Sequence, residues 1–279
     1  EGPPVNRPRP GTKPARRPRG ATPSEPAPAE RARASALFEA LAKAYPDAHC
    51  ELEFSSPHEL LIATILSAQA TDVSVNKATP ALFRRFPTPA DYARATPQEI
   101  EPFIRTIGLF RSKARAVHES MRSVVENFGG RVPRTMDELL TLRGVARKTA
   151  NVVLSNAFHT HEGVVVDTHV QRLSVRFGLC RPEDTVGAIE RRLMALFPRE
   201  HWGQLSHLLI FHGRRACKAR GVACPPHEIC ARFGDCCELR ISAPTKRSTR
   251  SSPAAKAARA RPRKASGARR GANGSEFQA

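Results

Sequence analysis

The sequence predicts an all-α protein of about ten helices, and three observations carry that expectation. Helix-start signals recur along the middle of the chain, each a Ser or Thr followed by Pro or an acidic residue. Apolar residues after those signals repeat with a period of about 3.6. The only strand-like run, Gly163-Val164-Val165-Val166, is too short and solitary to build a sheet.

Taken in order, periodicity predicts a first helix over 35–44. Ser56-Pro57-His58-Glu59 then forms a capping box with Pro at the first helical position, ahead of Leu60, Leu61, Ile62, Ile65 and Leu66. A helix over 72–86 follows. Thr88-Pro89-Ala90-Asp91 and Thr96-Pro97-Gln98-Glu99 repeat the start signal, the latter before Ile100, Phe103, Ile104 and Ile107. Each places a side-chain acceptor where the first free N–H groups need one. Helices are further predicted over 112–127, 147–158, 168–177, 186–197 and 204–214, with another start at Thr135-Met136-Asp137-Glu138. Gly129-Gly130, Gly178 and Gly213 stand where helices should stop. No internal repeat is evident.

The chain has 279 residues, 40% of them hydrophobic, enough to bury a sizeable core. Its net charge is +19. Residues 1–33 contribute +5 and residues 241–279 contribute +9, leaving +5 for the middle. Both ends are expected to be disordered basic tails, and their charge gives salt-sensitive, sequence-blind attraction to nucleic acid. No apolar run approaches the roughly 20 residues needed to span a bilayer, so no membrane role is expected.

The stretch with most chemistry runs from Leu142 to Val170. Gly144 permits a tight turn between two helices, with Val145 as the apolar pin. Such a turn aims backbone N–H groups outward at the positive end of the second helix, a ready phosphate site. Lys148 falls in the first turn of that helix, where the dipole and partial burial would both disfavour a cation. A neutral amine can attack carbon. Asp167, after the apolar run, opens the next helix. It reads equally as an ordinary N-cap or as a carboxylate serving a reaction at a sugar.

LRGVARKTANVVLSNAF followed by VVVDTHVQRL strongly resembles the helix-hairpin-helix motif and catalytic aspartate of the endonuclease III family of DNA glycosylases. The resemblance extends upstream through Glu59–Ala63, Leu66–Ala78, Thr106–Leu109 and Ser112–Ala114, and covers roughly residues 35–237. It implies that Lys148 is the Schiff-base nucleophile and Asp167 the catalytic acid. It also implies that Gln69 fills the gap left by a flipped nucleotide and that Leu109 wedges into the duplex. Gly144, Ala146, Arg147, His169, Lys218 and Arg220 are the further residues expected to face DNA. The family hairpin usually reads Leu-Pro-Gly-Val-Gly, so Arg143 and Ala146 are departures. Arg143 is expected to add a phosphate contact.

Seven cysteines occur, and Cys217, Cys224, Cys230 and Cys236 are spaced by six, five and five residues, with Cys237 adjacent. Structural zinc sites favour pairs two to four residues apart, which are absent here. Four thiolates suit a [4Fe–4S] cluster, and the family carries one at this point with gaps of six, two and five. The longer middle gap leaves His227 at the family's third-ligand spacing, but the position six further on is Phe233. The expected ligands are therefore Cys217, Cys224, Cys230 and Cys236, with Cys237 as the alternative fourth.

The reading is a bifunctional DNA glycosylase and AP lyase, excising oxidised pyrimidines from duplex DNA and nicking the strand by β-elimination. By resemblance, a helical barrel spans 57–164, and a cluster-bearing domain combines 34–56 with 165–240. A monomer working wherever its DNA is found is expected. The rivals are a monofunctional mismatch glycosylase, which Lys148 argues against, and a non-catalytic DNA-binding or redox-sensing protein of the same fold.

Overall fold

The computed structural model describes residues 25–219 and 227–234. In chain order, α1 spans Pro28–Ala44, α2 Pro57–Ser67, α3 Asp72–Arg85, α4 Pro89–Arg94, α5 Pro97–Ile104 and α6 Phe110–Phe128. The second half holds α7 (Met136–Leu140), α8 (Arg147–Phe158), α9 (Thr168–Arg176), α10 (Val186–Leu196), α11 (Trp202–Arg215) and α12 (Glu228–Phe233). A 3-10 turn, Arg199–His201, leads into α11. Among the described residues there is no strand, so the all-α class holds, with twelve helices there rather than about ten. Six-residue α12, inside the cysteine run, is too short to display a helical period.

The start signals act as expected. Ser56 Oγ accepts the Glu59 N–H at 3.4 Å, while the Glu59 carboxylate reaches back to the Ser55 N–H at 2.6 Å. Thr88 and Asp91 exchange both capping bonds, at 3.0 and 3.3 Å. Glu99 accepts the Thr96 N–H at 2.7 Å. Each such cap stabilises its helix by about 1 kcal/mol. Helix α1 begins seven residues before the expected position. Pro28 opens it, and the Ala27 N–H donates to Glu30 Oε2 at 2.8 Å, a box hidden by the proline-rich run before it.

Two hydrophobic cores organise these helices. The first gathers the buried faces of α2 to α8, with Leu60, Leu61, Tyr92, Met121 and Leu154 among its members. The second joins α1 to α9–α12 through Leu37, Leu41, Leu173, Leu193, Leu208 and Phe233. The segment after α1 crosses between them, since Tyr45 packs in the second core and Leu52 in the first. Val164, Val165 and Val166 are buried but belong to no helix or strand. That run leads from the end of α8 in one core to the start of α9 in the other, and Arg147 Nε meets Glu190 of α10 at 3.0 Å, so the mouths of α8 and α9 both lie at the junction. Two polar contacts reinforce it: His207 Nε2 to Asn156 Oδ1 at 2.9 Å, and Arg214 Nη2 to Asp72 Oδ2 at 2.7 Å.

Candidate active site

The turn before α8 is pressed tightly onto its neighbours. Gly144 has φ +80°, and a Cβ there would stand 3.1 Å from Ala116 Cβ of α6 and 3.5 Å from Ile65 Cγ2 of α2. Val145 and Leu142 are buried beneath the turn. Ala146 is the N-cap of α8 and offers no side-chain acceptor, so the first N–H groups of this exposed helix end are left for an outside acceptor. Arg143, expected to reach phosphate, is exposed, with Nη1 3.0 Å from Glu119 Oε2 of α6.

Lys148 is the second residue of α8 and is exposed, so the burial expected from the sequence is absent and its amine is open to approach. Asp167 is half-buried and caps α9, its Oδ1 accepting the Val170 N–H at 2.8 Å. Capping and chemistry are compatible here, because the bond fixes the carboxyl group while committing one of its two oxygens.

A third charged residue joins them that sequence reasoning missed. Asp72, the first residue of α3, is half-buried, and burial raises its carboxyl pKa. The charge of Lys148 opposes that rise, that of Asp167 adds to it and that of His169 opposes it. Asp72, Lys148, Asp167 and His169 therefore share one electrostatic neighbourhood, although they come from three helices. Arg214 of α11 holds Asp72 and also pairs with Glu51. Asp72 read as an ordinary helix-opening residue after Thr71, and nothing local marks its approach to Lys148.

The two residues expected to enter DNA share a backbone feature. Gln69, just past α2, has φ +56°, and Leu109, before α6, has φ +61°. Both are exposed, Leu109 by 64%, although the left-handed region is costly for side chains of this kind. His169 is half-buried, with Nδ1 3.3 Å from Arg172 Nη2. Lys218 is exposed, and its carbonyl accepts from Arg176 Nη1 at 3.0 Å. Arg220 lies outside the described residues. Arg147 is turned toward Glu190 of α10, with Nε 3.0 Å from both carboxylate oxygens.

Of the expected cluster ligands, Cys217 and Cys230 are buried, while Cys224 and Cys236, like Cys237, lie outside the described residues. Both described sulfurs meet nitrogen groups. Arg176 Nη1 donates to Cys217 Sγ at 2.9 Å, and His212 Nε2 lies 3.2 Å from Cys230 Sγ. The Tyr45 hydroxyl is 2.9 Å from His212 Nδ1. Burial pushes the His212 pKa down to about 4, so the ring is neutral, and a hydroxyl donating to Nδ1 assigns the remaining N–H to the sulfur side. Donors aimed at sulfur are what metal-bound thiolates receive, so this half of the donor set fits an iron–sulfur cluster. His227 caps α12, and its ring nitrogen lies with those of His212 and the Cys230 sulfur within 4.8 Å of one another. Phe233 is buried and carries no donor.

Residues 62–199 match the HhH-GPD superfamily base excision DNA repair protein family. Endonuclease III of Synechocystis sp. is 52% identical over 192 residues, covering 69% of this chain and 87% of that protein. Endonuclease III of Bacillus subtilis is 46% identical over 189 residues, covering 67% and 86%. Among solved structures, a trapped endonuclease III–DNA covalent intermediate superposes with a TM-score of 0.71 at 44% identity, covering 76% of this chain and 98% of that one. A thermostable thymine-DNA glycosylase, 22% identical with a TM-score of 0.68 and coverage of 76% and 99%, shares the fold.

Proposed function

This chain belongs to the endonuclease III family of base excision repair proteins, and from that premise we propose that it is a bifunctional DNA glycosylase and AP lyase acting on oxidised pyrimidines in duplex DNA. The observation that carries the reading is the exposed amine of Lys148 at the mouth of α8, with the carboxylates of Asp167 and Asp72 in its electrostatic neighbourhood. Relatives captured as covalent and non-covalent complexes with DNA support the partner, which one copy of this chain engages.

The phosphate backbone meets the open N–H groups of α8 at the Gly144–Ala146 turn. The damaged nucleotide leaves the stack, helped by its weakened pairing, while Gln69 and Leu109 occupy the duplex. A cleft of about 530 Å³ lined by Glu51, Asp72, Val73, Asn76, Phe211 and Arg215 opens beside the site and offers room for a group of that size. The amine nitrogen of Lys148 forms a bond to C1′ as the C1′–base bond breaks, the electrons of that bond leaving with the base. Asp167 supports the positive charge that develops on the sugar and accepts a proton from the attacking nitrogen. The nitrogen lone pair then opens the sugar ring, breaking the C1′–O4′ bond as O4′ takes up the proton held by Asp167, and the resulting imine acidifies the C2′ proton. Its removal expels the 3′ phosphate by β-elimination, and water then hydrolyses the imine to free Lys148.

Cys217, Cys224, Cys230 and Cys236 would hold a [4Fe–4S] cluster, which on binding supplies cross-linking of the segment after α11 and no step of the excision. Arg176 and the Tyr45–His212 pair orient the two described thiolates from behind.

Borohydride reduction in the presence of a thymine-glycol duplex tests the reading. A covalent protein–DNA adduct is expected from the wild type and none from Lys148→Gln. Base release without an adduct would point to a monofunctional glycosylase. Binding with neither would leave a DNA-binding protein.

A further inference from the structure

Behind Lys148 lies an ionic hub with a buried carboxylate at its centre, which the excision chemistry does not use. Glu190, on α10 of the second core, is only 8% exposed. Its carboxylate receives Arg147 Nε on both oxygens at 3.0 Å and Asn151 Nδ2 on Oε1 at 3.1 Å. Arg147 and Asn151 stand one turn apart on α8, and Arg147 is the residue before Lys148. Arg147 Nη2 also donates to the Glu162 carbonyl at 3.3 Å. Arg199 grips the same segment, with Nε on the His161 carbonyl at 2.7 Å and Nη2 on Glu162 Oε1 at 2.8 Å. Five residues after Glu162, through buried valines, the chain reaches Asp167.

The hub therefore clamps three things at once: the first turn of α8, the start of the segment that ends at Asp167, and α10. A Cβ on Gly163 would overlap the Glu190 carboxylate and stand 2.7 Å from Asn151 Nδ2, so the backbone passes directly over the ion pair. Arg147 is exposed and Glu190 buried, so screening on one side and desolvation on the other make the pair a weak source of stability. What the planar guanidinium supplies more reliably is a fixed geometry, since Nε holds the Glu190 carboxylate while Nη2 holds the Glu162 carbonyl.

We propose that Arg147 and Glu190 form a positioning unit that sets Lys148 against Asp167, Arg147 serving the reaction from behind the lysine and not as a DNA contact. The inference rests on the excision reading for its catalytic consequence. A displacement of about 1 Å between reacting groups is enough to slow a reaction by about a hundredfold. Side chains that hold both partners without touching substrate can therefore govern rate without governing affinity.

The test compares wild type with Glu190→Gln and Arg147→Lys at a temperature where circular dichroism shows all three folded. Binding is measured by anisotropy on a duplex with a tetrahydrofuran abasic analogue, and nicking of an abasic duplex under single-turnover conditions at saturating enzyme. Glu190→Gln is expected to bind within about twofold of wild type while nicking falls roughly ten- to a hundredfold. Glu190→Asp should recover part of the rate. Arg147→Lys keeps the charge but loses the planar fork, so it should show the same split and serves if the glutamine variant does not fold. Nicking at the wild-type rate overturns the proposal. So does a loss of affinity with the saturated rate retained, which would make Arg147 a DNA contact. If the wild type itself does not nick, the excision reading fails and hydrogen exchange of residues 147–151 and 161–167 decides the positioning unit. Faster exchange in Glu190→Gln supports it, and unchanged exchange overturns it.

Discussion

Arg214 Nη2 stands 2.7 Å from Asp72 Oδ2, tying α11 of the second core to α3 of the first beside Lys148. The pair holds a half-buried carboxylate in place, and burial raises the pKa of that carboxylate above its ordinary 3.8. The sign of the pH effect follows. In its charged form Asp72 can support the cationic nitrogen of the imine or accept a proton. As pH falls through its raised range it takes up a proton and loses both abilities. Single-turnover nicking by the wild type should therefore show an acid limb lying above the normal aspartate range. Asp72→Asn should slow nicking at pH 7 by about tenfold or more and lack that limb. Superimposable profiles for the two proteins would remove Asp72 from the chemistry.

Gly163 should tolerate no side chain. Any Cβ there meets the ends of Glu190, held by Arg147, and of Asn151 on α8, which donates to Glu190, so they have little room to retreat. Overpacking of this kind costs about 1–3 kcal/mol, and at this size that lowers Tm by roughly 2–4 °C per kcal/mol. Calorimetry of Gly163→Ala is expected to show a drop of that order. An unchanged melting temperature would mean that the ion pair yields easily.

Much of this site was legible in the sequence, and what was not is of one kind. The caps at Ser56, Thr88 and Thr96, the Gly144 turn and the capping role of Asp167 depend on neighbours within four residues, which a linear reading captures. Asp72 and Lys148 are separated by 76 positions and Arg147 and Glu190 by 43. The first encounter is set by how α3 and α8 pack within the first core, the second by how α10 of the second core meets α8. α1 was readable as a helix from its own periodicity, while its grouping with the C-terminal helices came only from the family resemblance. The left-handed backbone of Gln69 and Leu109 left no trace either, because local chemistry favours glycine at such positions and the chain places other residues there.

Acid should weaken the fold through His207. Its Nε2 meets Asn156 Oδ1 at 2.9 Å across the junction, and burial holds its pKa down at about 4. An unfolded histidine titrates near 6.5. Above that value neither state binds the proton, and the neutral ring's contribution is fully present. Between pH 6.5 and 4 only the unfolded state binds it, so stability falls with pH across that window. By linkage the loss at pH 5 is about 2 kcal/mol relative to pH 7.5. Urea midpoints for wild type and His207→Gln should converge as the pH is lowered, since only the wild type carries this term. Parallel curves would show that His207 titrates normally.

Leu109 separates activity from stability with an unusual sign. Its backbone sits at φ +61°, a conformation that costs a side-chain-bearing residue about 1–2 kcal/mol relative to glycine. Its side chain is 64% exposed, so little buried area repays that cost in the free protein. On most helix ends Ala→Gly is destabilising, because glycine has more chain entropy to lose. Here Leu109→Gly should be more stable than Leu109→Ala by about 1 kcal/mol, and at least as stable as wild type, in urea titrations at fixed pH. Both variants lack the apolar wedge and should lose nicking of a lesion duplex to a similar degree, while nicking of a single-stranded abasic substrate, which requires no wedge, falls less. A strained residue whose relief stabilises the protein but weakens its action on duplex DNA is held for function. If Leu109→Gly is instead the less stable of the two, the loop carries no strain. If it nicks the lesion duplex as wild type does, Leu109 is no wedge.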